Sequence, residues 1–189
     1  LVPDSYIKDR LDTSDIKLGF TVGSKYVEEG LSLKAIAKKT SKITVKNPGA
    51  GQILGPQYFG VGSLIPLIEE LKSEYEEGVL THQDCLKKVS EEIGKSLVGA
   101  DKKDIQKGLI ALLGEQTKII SIYKTTECSI LELQNVRENI MVKSQYPSEI
   151  QTAFIDPENN FELTLRVKFS AGQSKGWSSL KLAAEMRIN

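Results

Sequence analysis

Apolar and polar residues alternate near both ends of the chain. Residues 16–22 follow a period of two, as expected for a half-buried strand, and residues 42–46 predict a second short strand. Residues 161–169 and 180–188 alternate in the same way and predict an antiparallel hairpin. Between the first two strands, residues 24–39 carry apolar side chains at helical spacing and predict a helix.

The central part of the chain shows helical periodicity. Apolar residues recur every three or four positions from Ser63, and Gly78 predicts the end of this first helix. Thr81 is a good N-cap for a second helix that ends at Gly99. His82 falls in its first turn, where we expect an exposed polar residue, and Cys85 is expected to be buried.

A seven-residue repeat begins after Asp101, which is a suitable N-cap. Its seam positions are Ile105, Leu109, Leu112, Gln116, Ile119, Tyr123, Thr126, Ile130, Leu133, Arg137 and Ile140. A continuous helix over residues 105–142 would be roughly 57 Å long, whereas a globule of this chain length is roughly 40 Å across. Such a helix would protrude and pair with a copy of itself. The alternative is a break at residues 117–126, which are rich in β-branched residues and could form a strand.

These elements predict an α+β fold. We expect residues 1–189 to form a single domain in which a small antiparallel sheet, built from both chain ends, packs on helices. Residues 102–142 would form a long central amphipathic helix or a coiled-coil extension of that domain.

Composition limits the chemistry that the chain can support. Lys plus Arg and Asp plus Glu both number 25, so the bulk charge favours no polyanion or membrane. One His and two Cys leave too few ligands for a zinc site, and they supply no nucleophile and base pair. We therefore predict a protein that is not an enzyme, with no catalytic residue, cofactor or metal. Free thiols fit a reducing, cytoplasmic location, and Leu1 in place of Met indicates a processed or excised N-terminus.

The leading functional hypothesis is a self-assembling structural, scaffolding or interaction protein. It would be a homo-oligomer held together by the helix over residues 105–142, with other protein partners possible. In this hypothesis the polar seam residues Gln116, Thr126 and Arg137 fix the register and copy number.

Two alternatives depend on other segments. A nucleic-acid-binding module would use a basic face of five lysines that have no acidic residue among them: Lys34, Lys38, Lys39, Lys42 and Lys46. A membrane-active, fusion or pore-forming protein would use residues 47–68, an uncharged run with five glycines and three prolines. Those glycines and prolines exclude a plain spanning helix, so contact with a membrane is the less favoured of the two.

Overall fold

The computed structural model describes residues 2–3, 15–36, 42–114, 117–123, 127–132, 141–145, 151–156, 161–171 and 175–187. The helices are α1 (Ile65–Glu76), α2 (His82–Val98) and α3 (Lys102–Leu113). The strands are β1 (Val2–Pro3), β2 (Ile16–Val22), β3 (Lys25–Ile36), β4 (Lys42–Lys46), β5 (Thr117–Tyr123), β6 (Glu127–Glu132), β7 (Met141–Gln145), β8 (Gln151–Asp156), β9 (Phe161–Phe169) and β10 (Leu180–Arg187). The predicted α+β class is confirmed.

The first sheet has the strand order β1-β2-β3-β5-β6. Its neighbours are antiparallel except for β3 and β5, which run parallel. The predicted strand at residues 16–22 is confirmed, but the predicted helix over residues 24–39 is wrong, because residues 25–36 form β3. Val22 pairs with Lys25, so only two residues make the turn, and Gly23 supplies the positive φ of 63° that such a turn needs. A tight turn of this kind directs the chain back along β2 as a strand.

The second sheet has the order β4-β10-β9-β8-β7 and is antiparallel throughout. The predicted C-terminal hairpin is confirmed as β9 and β10, in which Leu180 pairs with Phe169. The early strand that joins this hairpin is β4, which pairs with β10. The second sheet therefore combines segments from distant parts of the sequence.

The predicted helices α1 and α2 are confirmed, and α2 has the expected cap. The Thr81 hydroxyl accepts a hydrogen bond from the Asp84 backbone N–H, and the Asp84 carboxylate accepts one from the Thr81 backbone N–H. This reciprocal pair is a capping box. After α1, Gly78 adopts a φ of 76°, as expected of a residue that ends a helix.

The prediction of a long helix over residues 102–142 is wrong. Helix α3 ends at Leu113, and the next residue, Gly114, has a φ of 82°, which glycine adopts readily and other residues rarely do. The β-branched run that follows forms β5 and β6. The competing interpretation, a break near residues 117–126, is the one that the structure supports.

The proposed oligomer seam is therefore not one surface. Ile105, Leu109 and Leu112 are buried in the core of the same chain. Three more seam residues lie on strands of the first sheet: Ile119 and Tyr123 on β5, and Ile130 on β6. The others lie outside the described residues: Gln116, Thr126, Leu133, Arg137 and Ile140.

The core lies between the helices and the second sheet. Its largest fully buried side chains are Phe59, Ile53, Leu54, Leu64, Leu71, Ile93, Leu97, Leu112, Leu163, Leu165 and Leu182.

Several of these buried side chains belong to the glycine-rich segment, residues 47–68, which contains a short 3-10 helix at Ala50–Gln52. Five of its apolar side chains are buried in the core of this chain and are not presented to a membrane: Ala50, Ile53, Leu54, Phe59 and Leu64. Among the described helices, none has the length and apolar character needed to span a bilayer. That residues 1–189 form a single domain stays a prediction.

His82 is buried, with 8 % of its surface exposed, so its predicted exposure is wrong. Its ring lies edge-on to Tyr75 and Phe169, at centroid distances of 4.7 and 4.5 Å, and its Nε2 is 3.2 Å from the Gly176 carbonyl oxygen. Trp177 closes the same aromatic cluster. The imidazole thus fastens the connection between β9 and β10 to the helices. Cys85 is buried, as predicted.

Candidate functional site

A cleft of about 760 Å³ opens between α3, the glycine-rich segment and the end of β4. Its described lining residues are Lys46, Pro56, Gln57, Tyr58, Lys103, Gln106, Lys107, Ile110 and Ala111. Three of these are lysines and none is acidic. We call this site the lysine cleft.

The spacing of residues along α3 determines which of them line the lysine cleft. Ile105, Leu109 and Leu112 recur at helical intervals and are buried against the core. The lining residues from Lys103 to Ala111 occupy the other side of the helix. One amphipathic helix therefore contributes to the core on one face and supplies two lysines and an amide to the cleft on the other.

The glycine-rich segment forms the second wall and is held by its own backbone. The backbone N–H groups of Tyr58 and Gly60 both donate to the Gly55 carbonyl, at 3.0 and 2.9 Å. Phe59 points into the core and is fully buried, while Gln57 and Tyr58 line the cleft. The sequence was expected to be irregular here, and the structure shows a compact turn, closed by backbone hydrogen bonds, that carries these two side chains.

Lys46 is the least exposed of the three lysines that line the cleft. Its Nζ donates a 2.8 Å hydrogen bond to the carbonyl oxygen of Ala111. This carbonyl belongs to the last turn of α3, where a cation is favourable because the helix dipole is negative at that end. Burial lowers the pKa of the Lys46 ammonium and raises the pKa of the neighbouring Tyr58 hydroxyl. The Lys46 Nζ lies 5.7 Å from the centre of the Tyr58 ring.

Lys103 and Lys107 are exposed and lie one turn apart on α3. Within the described part of the chain, no carboxylate makes an ion pair with either of them. The Lys107 ammonium approaches the loop so closely that a Cβ on Gly60 would be 3.3 Å from its Nζ. With Lys46, these residues place three positive charges around one concave surface, which suits an anionic ligand.

The described lysines of the predicted basic face lie on two different sheets. Lys34 lies on β3 of the first sheet, where its Nζ is 3.7 Å from an oxygen of Asp15. Lys42 and Lys46 lie on β4 of the second sheet, and only Lys46 reaches the lysine cleft. Lys38 and Lys39 fall outside the described residues.

Sequence reasoning missed Lys103 and Lys107. The only signal was a pair of lysines at positions i and i+4 on the polar face of α3, and most such faces are simply solvated. No group of three or more His, Cys, Asp or Glu side chains that could hold a metal comes together among the described residues.

The comparison with known proteins gives a clear relationship. The chain is 40% identical over 188 residues to the type II restriction enzyme BsuRI of Bacillus subtilis, and this match covers the whole of the chain. The chain spans about a third of that enzyme, since the match covers 33% of its length. No family model matches the chain, and no solved structure matches it.

This similarity corrects the functional prediction. The chain was expected to be a non-enzymatic, coiled-coil assembly protein, and its match along its full length is to an enzyme. The sparse His and Cys of the sequence were taken to argue against catalysis, because they supply no pair of nucleophile and base. That inference was wrong because catalysis by carboxylates, with or without a metal, requires neither His nor Cys, and the sequence had left this chemistry open.

Proposed function

We propose that this chain is part of a restriction-type endonuclease, an enzyme that cleaves double-stranded DNA at a defined sequence. The observation that carries the proposal is the 40% identity with a type II restriction enzyme along all of the chain. Double-stranded DNA is then the substrate and the principal partner.

The lysine cleft supports this proposal because its charge suits the DNA backbone. A protein gains most of its non-specific affinity for DNA by neutralising phosphates with Lys and Arg side chains. Lys103 and Lys107 are exposed, and neither makes an ion pair with a residue that the structure describes. They can therefore approach phosphates without first breaking such a salt bridge. Their Cα atoms are roughly 6 Å apart along α3, which allows the two side chains to reach neighbouring phosphates of one strand.

The proposed DNA contact therefore differs from the basic face over residues 34–46. It consists of the exposed Lys103 and Lys107 of the lysine cleft, with the less exposed Lys46 adding positive charge. Lys34 is excluded because it lies on the first sheet beside Asp15. Self-association through residues 105–142 is not part of the proposal, since the helix on which it depended ends at Leu113.

Cleavage of DNA of known sequence tests the proposal. The purified chain is incubated with plasmid DNA and a panel of divalent cations, and the ends of the fragments are sequenced. We expect all ends to share one short sequence. Because the chain matches a third of its relative, the same assay is run on a chimera in which this chain replaces the matching third of the Bacillus subtilis enzyme.

The two proteins together make the assay decisive. Defined ends from either protein support the proposal. Circular dichroism first establishes that both proteins are folded. If neither cuts at a defined sequence and the chain also fails to bind duplex DNA at low salt, the proposal is rejected.

A further inference from the structure

The lysine cleft is larger and less polar than a site for phosphate alone requires. Its volume of about 760 Å³ lies in the range of pockets that enclose small molecules. Part of its lining, which we call the wall, is aromatic or apolar and consists of Pro56, Tyr58 and Ile110. Gln57 and Gln106 add two amide groups to it. The charge of the three lysines suits phosphate, but it does not explain this wall.

The wall has the chemistry that recognises a nucleobase. An aromatic ring and apolar side chains stack on the flat face of a base, and a glutamine amide can both donate to and accept from its edge. These groups lie beside the lysines, so a base and the phosphate of the same nucleotide could be bound together. A base inside an intact duplex has both faces covered by its neighbours and cannot use such a wall.

On the basis of the function proposed above, we propose that the lysine cleft accepts one nucleotide swung out of the DNA helix. Its base packs between Tyr58 and Ile110, with its edge near Gln57 and Gln106. The two phosphates that flank it on the strand lie at Lys103 and Lys107. Backbone hydrogen bonds to the Gly55 carbonyl hold the turn that carries Tyr58, so this wall is formed without DNA.

The proposal predicts a particular response to mismatched DNA. A base that is already unpaired is easier to remove from the helix, so an enzyme that extrudes a base binds a mismatched site more tightly. A scan places a single mismatch at each position of the duplex that the protein binds, and the dissociation constant is measured by fluorescence anisotropy. We expect one position at which the mismatch tightens binding at least fivefold.

Two tyrosine variants connect this response to the lysine cleft. Tyr58→Ala removes the stacking wall and should reduce the mismatch preference to less than twofold, while weakening binding to the matched duplex only slightly. Tyr26→Ala is the matched control, because Tyr26 is 68% exposed on β3 and does not line the cleft. This variant should keep the full preference of the wild-type chain.

The outcomes distinguish this inference from the proposed function. A chain that cuts or binds DNA and shows no mismatch preference at any position overturns the inference alone, and the lysine cleft then contacts only the outside of the duplex. An equal preference in the Tyr58→Ala variant also overturns it. Failure to bind any duplex at low salt rejects both.

Discussion

The ring of Phe59 lies against the backbone of Gly108 in α3, in the space where any other residue would place its Cβ. Both residues are buried, and Phe59 has no exposed surface. This contact brings the glycine-rich segment, which carries Gln57 and Tyr58, close to α3. A single missing methyl group on the helix thereby permits this approach.

Substituting Gly108 by Ala should reduce the free energy of unfolding. Forcing an extra carbon into a packed core costs about 1–3 kcal/mol, while the better helix propensity of Ala recovers up to about 1 kcal/mol. We expect a net loss of about 1–2 kcal/mol, measured by urea denaturation. Combining it with Phe59→Leu, which shortens the obstructing side chain, should give less than the sum of the two losses.

The control for this substitution is Gly62→Ala. Gly62 is exposed, has an ordinary φ and has no atom near its missing Cβ, so its replacement should change the free energy of unfolding by less than about 0.5 kcal/mol. Equal effects at Gly62 and Gly108 would show that the contact with Phe59 is not the cause.

Replacing both Lys103 and Lys107 by Gln should weaken DNA binding and its dependence on salt. Each phosphate contact contributes about 0.9 to the slope of log K against log salt concentration. Loss of two contacts should lower the magnitude of that slope by about 2. The slope is obtained from binding titrations of one duplex at several salt concentrations.

A variant with Lys87→Gln and Lys95→Gln removes the same charge from α2. These lysines are exposed and lie outside the lysine cleft. The slope for this control should match that of the wild-type chain. If the slope of log K against log salt concentration falls equally in the two double variants, net charge rather than the cleft determines binding.

The capping box of α2 should make stability depend on pH below the ordinary Asp range. Hydrogen bonds from the Thr81 side chain and backbone lower the pKa of the Asp84 carboxyl in the folded protein. The folded pKa is then below the unfolded one, so this group stabilises the protein above about pH 4. That contribution is lost as the pH falls through the folded pKa.

Thr81→Ala removes the hydroxyl donor and tests this coupling. We expect the Asp84 pKa, followed by NMR titration, to rise towards its ordinary value. The variant should be less stable than the wild type at pH 6, and the difference should shrink as the pH approaches 2. If the difference in the free energy of unfolding between the two proteins did not change with pH, the charge of Asp84 would not contribute to the cap.

Arg166 and Glu185 form a two-point ion pair across β9 and β10. The Arg166 Nη2 and Nε donate to the two carboxylate oxygens at 2.6 and 3.2 Å, and the Glu185 side chain is only 11% exposed. Arg166→Ala leaves this carboxylate poorly solvated, which should cost about 1–3 kcal/mol. A double-mutant cycle with Glu185→Ala isolates the coupling between the two residues.

The exposed pair Lys72 and Glu76 provides the comparison. Both side chains are more than half exposed and their charged atoms are 3.7 Å apart, so the same cycle should give less than about 0.5 kcal/mol. Equal coupling in the two pairs would contradict the argument that burial strengthens the pair on the second sheet.

Local patterns were sufficient for about half of the fold. The helices α1 and α2 and the C-terminal hairpin could be predicted because their signals lie within each element: the Thr81 cap, the stop at Gly78 and strict alternation over residues 161–169. Residues 25–36 were misassigned because the turn at Gly23 and pairing with β2 outweighed their helical spacing. Isoleucines at heptad positions after Gly114 fit a helix and a strand equally well.

The candidate site could not be predicted because it depends on contacts between distant residues. In the sequence, Lys103 and Lys107 have the pattern of an ordinary solvated helix face. Only the contact between Phe59 and Gly108 shows that the glycine-rich segment lies beside them. Lys46 was among the five lysines of the predicted basic face, but the sequence did not indicate that it lies beside α3. The partner that gives Lys46 its position is the Ala111 carbonyl, and no local pattern connects the two.

The two sheets are interleaved along the chain. All three helices lie between the parallel neighbours β3 and β5 in the sequence. Strand β4 pairs with β10, which begins only at Leu180. During synthesis on the ribosome, the strand that carries Lys46 therefore emerges long before the strand that will hold it. We expect the lysine cleft to form only late in folding, as contacts between distant segments are slow to form.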